Sequence, residues 1–120
     1  NQLTSLDVSG APTLINLFCD NNQLTSLDVS GTMVLTLLSC NINQLTTLDV
    51  SQNTALINLS CWDNQLTSLD VSNGNNTNMT YFGATTNPNL TCINVDDSLY
   101  STANWTNIDP QHFFSEYCGN

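Results

Sequence analysis

The chain has 120 residues, ten acidic side chains and no lysine or arginine, which gives a formal net charge of −10. Binding to nucleic acid or to an anionic membrane surface depends on basic side chains, so this composition excludes both classes of partner. No run of roughly 18 apolar residues predicts a membrane-spanning helix, and no basic segment followed by an apolar one predicts a signal peptide at the start. The length fits one domain.

The sequence repeats one phrase four times. NQLTSLDVSG begins at residues 1 and 22, NQLTTLDVSQ begins at residue 43 and NQLTSLDVSN begins at residue 64, so the period is 21 residues. Each unit reads L-x-x-L-x-V, a turn, L-x-x-L-x-C and a second turn. A fixed period of about 20 to 50 residues is typical of a solenoid, in which each coil buries its apolar side chains against the next. The inward residues of the first unit are Leu3, Leu6, Val8, Leu14, Leu17 and Cys19.

The repeat continues in altered form after residue 71, where the segment SNGNNTN adds two residues to a loop. The residues that keep the spacing beyond it are Met79, Phe82, Ala84, Leu90, Ile93 and Val95. We therefore predict an array over residues 1–95, with coils that start near residues 1, 22, 43, 64 and 87, and an irregular C-terminal cap over residues 96–120. The side chains expected to be buried in the cap are Tyr100, Trp105, Ile108, Phe113 and Phe114.

These patterns predict a mainly β, right-handed solenoid of about five coils, built from strands and turns. The alternative is a flattened β-solenoid with two equivalent sheets, which has the same inward residues. No segment of residues 1–95 shows the period of about 3.6 residues that an α-helix requires.

The unit TLINLFCDNNQLTSLDVSG resembles a leucine-rich repeat of the form L-x-x-L-x-C-x-x-N-x-L-T-x-L-D-V-S. More narrowly, residues 1 to about 95 resemble the 21-residue, cysteine-bearing repeats of internalin J and of many Bacteroidetes surface proteins. The tail, with NPNLTCINVDD, YSTANWTNID and FSEYC, resembles the end of the array in secreted flavobacterial proteins, in which a type IX secretion sorting domain often follows. The resemblance implies a leucine-rich-repeat fold and an extracellular location at a bacterial cell surface.

The resemblance also implies that the L-x-x-L-x-C half forms the concave strand of each coil. Asn22, Asn43 and Asn64 then take the position whose side-chain amide bonds neighbouring backbone at a bend, a role that suits a buried amide. Asn87 takes the same position in the last coil, followed by Pro88 where glutamine stands in the others.

The outward residues of the concave strands include three large aromatics, Phe18, Trp62 and Tyr81. Exposed aromatics are enriched where partners bind, although they also cover the edges of coils. Neighbouring polar side chains suit sugar hydroxyls or a peptide backbone, while Asp20 disfavours anionic ligands. The expected contact residues, with Trp62 at the centre, are Asn16, Phe18, Asp20, Leu37, Ser39, Asn41, Asn58, Ser60, Trp62 and Tyr81.

We therefore expect a non-catalytic binding or adhesion module that recognises a protein or an uncharged polysaccharide on its concave face. One alternative is a structural spacer or filament-forming subunit, because the opening coil shows no cap and its Leu3, Leu6 and Val8 would face solvent. We expect that end to continue into a longer array, or else to meet another molecule end to end. A minor alternative is ice binding by the outward row Thr4, Thr25, Thr46 and Thr67.

The five cysteines fall into two groups. Cys19, Cys40 and Cys61 lie 21 residues apart and are expected to stack in the core as small apolar side chains, since a linear stack does not surround one metal ion tetrahedrally. Cys92 and Cys118 bracket the cap. In an exported protein these two are expected to form a disulfide, the alternative being two free buried thiols.

Asp7, Asp28, Asp49 and Asp70 form an outward row of like charges. We expect their repulsion to be offset by hydrogen bonds to backbone N–H groups or to Ser and Thr hydroxyls at the bend. The alternative is calcium held between coils, although the sequence has no D-x-D-x-D-G loop, and no other metal or cofactor is expected.

Two further positions concern modification and catalysis. Ser98 lies in the segment DSL, which matches the D-S/T-apolar motif that Bacteroidetes O-glycosylate in exported proteins. His112 is the sole histidine, and no G-x-S-x-G or similar context surrounds it. We therefore predict no catalytic residue.

Overall fold

The computed structural model describes residues 2–118, which form two four-stranded parallel sheets. Residues 1, 119 and 120, at the ends of the predicted array and cap, lie outside the described residues. Sheet 1 contains Asn16–Phe18 (β1), Leu37–Ser39 (β2), Asn58–Ser60 (β4) and Tyr81–Gly83 (β6). Sheet 2 contains Thr47–Asp49 (β3), Ser68–Asp70 (β5), Cys92–Asn94 (β7) and Phe113–Ser115 (β8). A 3₁₀ turn spans Asn76–Asn78, and one helix, α1, spans Ser98–Asn104.

The strand register follows the sequence repeat. Leu17 lies beside Leu38, and Leu38 lies beside Leu59 in the next coil, so residues 21 apart are neighbours. Leu59 then lies beside Phe82, which comes 23 residues later in the chain, two more than the regular period of 21. This offset confirms that the loop after residue 71 takes up the extra length without a change in the inward face.

One continuous apolar core runs through the coils. It consists of the leucines, valines and cysteines of the repeat, and its members in the middle coils, such as Leu38, Leu59 and Leu69, are at most 2% exposed. Leu6, Leu14 and Leu17 of the first coil are only partly buried against it. Burial is therefore complete only where a coil has a neighbour on both sides, as stacking predicts.

Each bend between the halves of a coil has the same backbone geometry. The residue before each bend asparagine (Asn22, Asn43, Asn64 and Asn87) has positive φ. The values are 58° to 59° at Asn21, Ile42, Asp63 and Thr86. This left-handed conformation is unfavourable for β-branched residues such as Ile42. The same bend occurs before Asn87, so Pro88 does not alter it.

A ladder of buried amides connects these bends. The Nδ2 group of Asn43 donates to the carbonyls of Cys19 (3.0 Å) and Cys40 (3.1 Å), while its Oδ1 atom accepts from the N–H of Leu24 (3.0 Å). Each asparagine therefore joins its own coil to the preceding one. The equivalent residues Asn22, Asn64 and Asn87 also accept from a backbone N–H of the preceding coil.

The segment after Val95 is more regular than the sequence indicated. It begins with helix α1 and ends in β8, which places Phe114 beside Ile93 as the next inward residue of sheet 2. Trp105 stacks on Phe82 with ring centroids 4.5 Å apart, and Phe114 packs edge-on against both rings. The expectation that Phe113 is buried was wrong, because alternation along β8 turns it outward.

The cysteines divide as predicted. Cys92 and Cys118 form a disulfide that ties the end of the cap to β7. Cys19, Cys40 and Cys61 are free and buried, and each thiol donates to a carbonyl of the following coil at 3.6 Å. Burial is the main cause that raises the pKa of Cys19 to about 11 and that of Cys61 to about 12.

We predict that Ellman's reagent detects three thiols after denaturation and essentially none in the native protein at pH 8. The native thiols are both inaccessible and almost fully protonated, and the thiolate is the reactive form. A count of five thiols in the denatured, unreduced protein would exclude the disulfide. Rapid native labelling would show that the cysteine stack opens to solvent.

Candidate binding surface

The outward side of sheet 1, here called the first-sheet face, consists of the residues that alternate with the inward ones on β1, β2, β4 and β6 and the residues flanking these strands. Phe18 is 67% exposed and Ile15 is 54% exposed, and Ile57 and Tyr81 are also exposed. Asn16 is exposed, and Leu37, Asn58 and Trp62 are partly buried. Parallel stacking places these side chains in rows that cross the coils.

A second set of predicted contact residues holds the coils together. The carboxylate of Asp20 accepts from the Ser39 hydroxyl at 2.7 Å and from the Asn41 N–H at 2.7 Å. One coil further on, Oδ1 of Asn41 accepts from the Ser60 hydroxyl at 2.7 Å and from the Trp62 N–H at 2.9 Å. Asn41 and Ser60 are each 8% exposed. This row bonds the protein to itself, so Asn41 and Ser60 are omitted from the surface proposed below.

Tyr81 lies at the C-terminal end of the first-sheet face, and Gly83 makes room for it. A Cβ atom on Gly83 would lie 2.6 Å from the Tyr81 hydroxyl, closer than real contacts allow. The hydroxyl also accepts a hydrogen bond from Nδ2 of Asn107 at 2.8 Å. The tyrosine ring is therefore held between the sheet and the cap, a role that the sequence pattern did not show.

The outward side of sheet 2 is polar, in contrast to the first-sheet face. Its outward residues on β3 and β5 are Thr47, Asp49, Ser68 and Asp70. Each carboxylate of the Asp row accepts from the backbone N–H two residues later, at distances of 2.8 to 3.0 Å. Such bonding is what the sequence suggested would offset the repulsion. Within residues 2–118, no group of three or more His, Cys, Asp or Glu residues is placed to hold a metal ion.

His112 belongs to a buried polar cluster in the cap. Its Nδ1 atom accepts from the N–H of Asp109 at 3.1 Å, and its Nε2 atom lies 3.3 Å from the carbonyl of Asn87. Nε2 also lies 3.4 Å from the Asp109 carboxylate. Both ring nitrogens are engaged by neighbouring groups, which suits a structural role.

Asp109 supplies the acceptors that a following coil would provide. In the first coil, the N–H groups of Asn21 and Asn22 donate to backbone carbonyls of the next coil. At the last bend, the N–H groups of Thr86 and Asn87 donate instead to the Asp109 carboxylate at 2.8 and 2.9 Å. Partial burial raises the pKa of Asp109, but these bonds and His112 outweigh it and hold that pKa below its ordinary value.

Ser98 is the first residue of α1 and is partly exposed. Its N–H donates to the Glu116 carboxylate at 2.7 Å, and the preceding Asp97 caps the helix by accepting from Leu99 and Tyr100. The DSL segment is thus the beginning of a helix, and O-glycosylation of Ser98 remains a prediction.

No protein-family model and no curated protein matches the chain. Among solved structures, it is similar to the functional domain of InlJ from Listeria monocytogenes, which includes a cysteine ladder. The identity is 40% over 79% of this chain, with a TM-score of 0.68. The match spans 23% of the InlJ chain. This match identifies the solenoid as a leucine-rich-repeat fold and supports the interpretation of its units as internalin-like, cysteine-containing repeats. No helix within residues 2–118 is long and apolar enough to cross a membrane.

We predict that Asp109→Asn lowers the free energy of unfolding at pH 7 by about 1 kcal/mol. The loss is modest because Asp109 is partly exposed, and solvent weakens the hydrogen bonds of its carboxylate. Because the folded pKa of Asp109 is depressed, its contribution is fully present above the unfolded pKa and is lost as the pH falls through the folded pKa. The stability difference between wild type and variant should therefore shrink in urea titrations as the pH falls below the ordinary Asp pKa of about 3.9.

Asp63→Asn is the matched control, because Asp63 occupies a bend and its carboxylate accepts no backbone N–H within residues 2–118. Its stability difference from the wild type at pH 7 should be smaller than that of Asp109→Asn. Equal and parallel pH profiles for the two variants would contradict the role assigned to Asp109.

Proposed function

We propose that the chain is a non-catalytic protein-binding module that mediates adhesion through the first-sheet face. The observation that carries the proposal is the exposure of Phe18, Ile15 and Ile57 on a rigid sheet. Leucine-rich-repeat solenoids present extended surfaces of this kind and use them to bind partners. Exposed aromatic and aliphatic side chains on a flat surface are typical of interface centres.

The position of Trp62 supports it as the central contact. Trp62 follows β4, near the middle of the sheet order β1-β2-β4-β6, and its backbone N–H is fixed by Asn41. A partly buried tryptophan on a fixed backbone loses little conformational freedom when a partner covers it. Asp20 and the net charge of −10 disfavour an acidic partner surface.

We further infer an extracellular location. The Cys92–Cys118 disulfide supports it, because disulfides persist mainly in oxidising compartments. Export by a Bacteroidetes type IX system is the finer version of this proposal, and it rests on the sequence resemblance of the tail.

The spacer or filament alternative is favoured by a different surface. In the described part of the chain, the first coil exposes Leu3 and leaves Leu14 and Leu17 only partly buried. Such a face suits another coil or a second molecule stacked end to end. The ice-binding alternative is weaker, because the Asp row flanks the threonine row and keeps that side strongly hydrated.

We predict that Phe18→Ser and Trp62→Ala each reduce binding of the domain to an extracellular protein array at least tenfold, since truncation of a central aromatic costs about 2 kcal/mol or more. Binding is measured by biolayer interferometry against the array proteins that the wild type recognises. Thermal melts establish that the variants are folded.

Ser68→Ala on the outward side of sheet 2 is the matched control and should bind as the wild type does. Folded Phe18→Ser and Trp62→Ala proteins with undiminished binding would remove the first-sheet face from the interface. Loss of binding in Leu3→Ser alone would favour the end-to-end alternative.

A further inference from the structure

The two sheets end differently at the C-terminal side of the solenoid. Sheet 2 continues into the cap through β8, whereas sheet 1, as described within residues 2–118, ends at β6. The segment after α1 runs past β6 without forming a strand, and the carbonyl of Asn107 accepts from the N–H of Ala84 at 3.1 Å. A cleft lies beside β6, where the next strand of a regular coil would run.

The cleft has a volume of about 360 Å³. This size lies at the lower end of the range for small-molecule sites, about 300 to 1,000 Å³, and suits a ligand as large as a mono- or disaccharide. Its lining residues are Met79, Thr80, Tyr81, Phe82, Tyr100, Asn104, Trp105, Thr106 and Asn107.

The apolar part of the cleft is aromatic and rigid. Trp105, which is 5% exposed, stacks on Phe82 with an interplanar angle of 19°. Tyr81 is fixed by its hydrogen bond from Asn107 and by the space above Gly83. Phe82 and Trp105 are buried against each other and form the floor, so Tyr81, which is 40% exposed, is the ring that offers an apolar surface to the C–H groups of a sugar ring.

The polar part consists of uncharged donors and acceptors. Asn104 and Asn107 use their Nδ2 groups for the Tyr100 carbonyl and the Tyr81 hydroxyl. Within residues 2–118, their amide oxygens and the Thr106 hydroxyl make no hydrogen bond and are left for a ligand. The Nε1–H group of Trp105 is buried and also has no acceptor in the described part of the chain. Buried polar groups without a partner are uncommon.

We propose that this cleft binds a neutral sugar of one or two rings. No lining residue carries a charge, and the net charge of −10 opposes an acidic sugar. A peptide strand added to β6 is disfavoured, because the Asn107 carbonyl already bonds to Ala84 at this edge. The proposal does not rest on the protein-binding role of the first-sheet face, which shares only Thr80 and Tyr81 with the cleft.

The chain offers a direct spectroscopic readout. It has two tryptophans, so Trp62→Phe leaves Trp105 as the sole indole fluorophore. This protein is titrated with D-glucose, D-galactose, D-mannose, N-acetyl-D-glucosamine, maltose and cellobiose, with D-glucuronate as the charged comparison. We expect a saturable change in Trp105 emission with at least one neutral sugar, at a Kd of about 1 mM or below.

Variants in the same background locate the sugar. Asn107→Ala removes the group that positions Tyr81, and Tyr81→Phe removes the hydroxyl, so each should weaken binding at least tenfold. Gly83→Ala should weaken it at least fivefold without removal of any polar group, because the new methyl group forces the Tyr81 ring to move. Phe18→Ala, at the other end of sheet 1, should bind the sugar as the parent does.

Three results would overturn the proposal, provided that thermal melts show folded proteins. One is the absence of any emission change up to about 50 mM of every neutral sugar. Another is equal weakening by Phe18→Ala and Asn107→Ala, which would place the sugar along the first-sheet face. The third is binding of D-glucuronate as tight as that of the best neutral sugar. The first and third outcomes would leave protein binding through Phe18 unaffected.

Discussion

The fold depends on the hydrogen bonds that pair the backbone N–H and C=O groups at each bend, where the chain leaves a sheet. Short strands of three residues leave many N–H and C=O groups at the bends, and burial of unpaired groups is costly. The asparagine ladder pairs these backbone groups with one side chain per coil. The Asn43 amide donates to carbonyls of its own coil and the preceding coil, and it accepts from an N–H of the preceding coil. Successive coils therefore stack in register, and Asn87 keeps the same bonds although its coil is two residues longer.

The same principle explains how a chain without lysine or arginine carries ten acids. Within residues 2–118, nine of the ten carboxylates accept at least one backbone N–H, and the exception is Asp63. Backbone N–H dipoles therefore stabilise these negative charges, a role that lysine and arginine side chains have in most proteins. In the cap, Asp96 and Asp109 bond the N–H groups of the preceding coil, so acidic residues also terminate the stack.

The sequence predicted the repeating part of the fold because period and inward pattern are local properties. Leu38, Leu59 and the cysteine stack lie where the 21-residue register placed them. The end of the solenoid was harder, because Phe114 continues the register without a recognisable motif, while Phe113 was misassigned to the core. The cleft beside β6 depends on contacts between Tyr81 and Asn107, which are 26 residues apart, and no sequence period relates them.

The hydrogen bonds of each buried asparagine amide, rather than the volume of its side chain, hold the bends together. The direct test is the free energy of unfolding in urea for Asn43→Leu, with Gln44→Leu as the matched control on the neighbouring exposed residue. Leucine at position 43 makes no hydrogen bond to the Leu24 N–H or to the carbonyls of Cys19 and Cys40. We therefore predict that Asn43→Leu lowers the free energy of unfolding by about 3 kcal/mol or more. Gln44→Leu should change stability by less than about 0.5 kcal/mol. Equal, small losses for both variants would contradict the account.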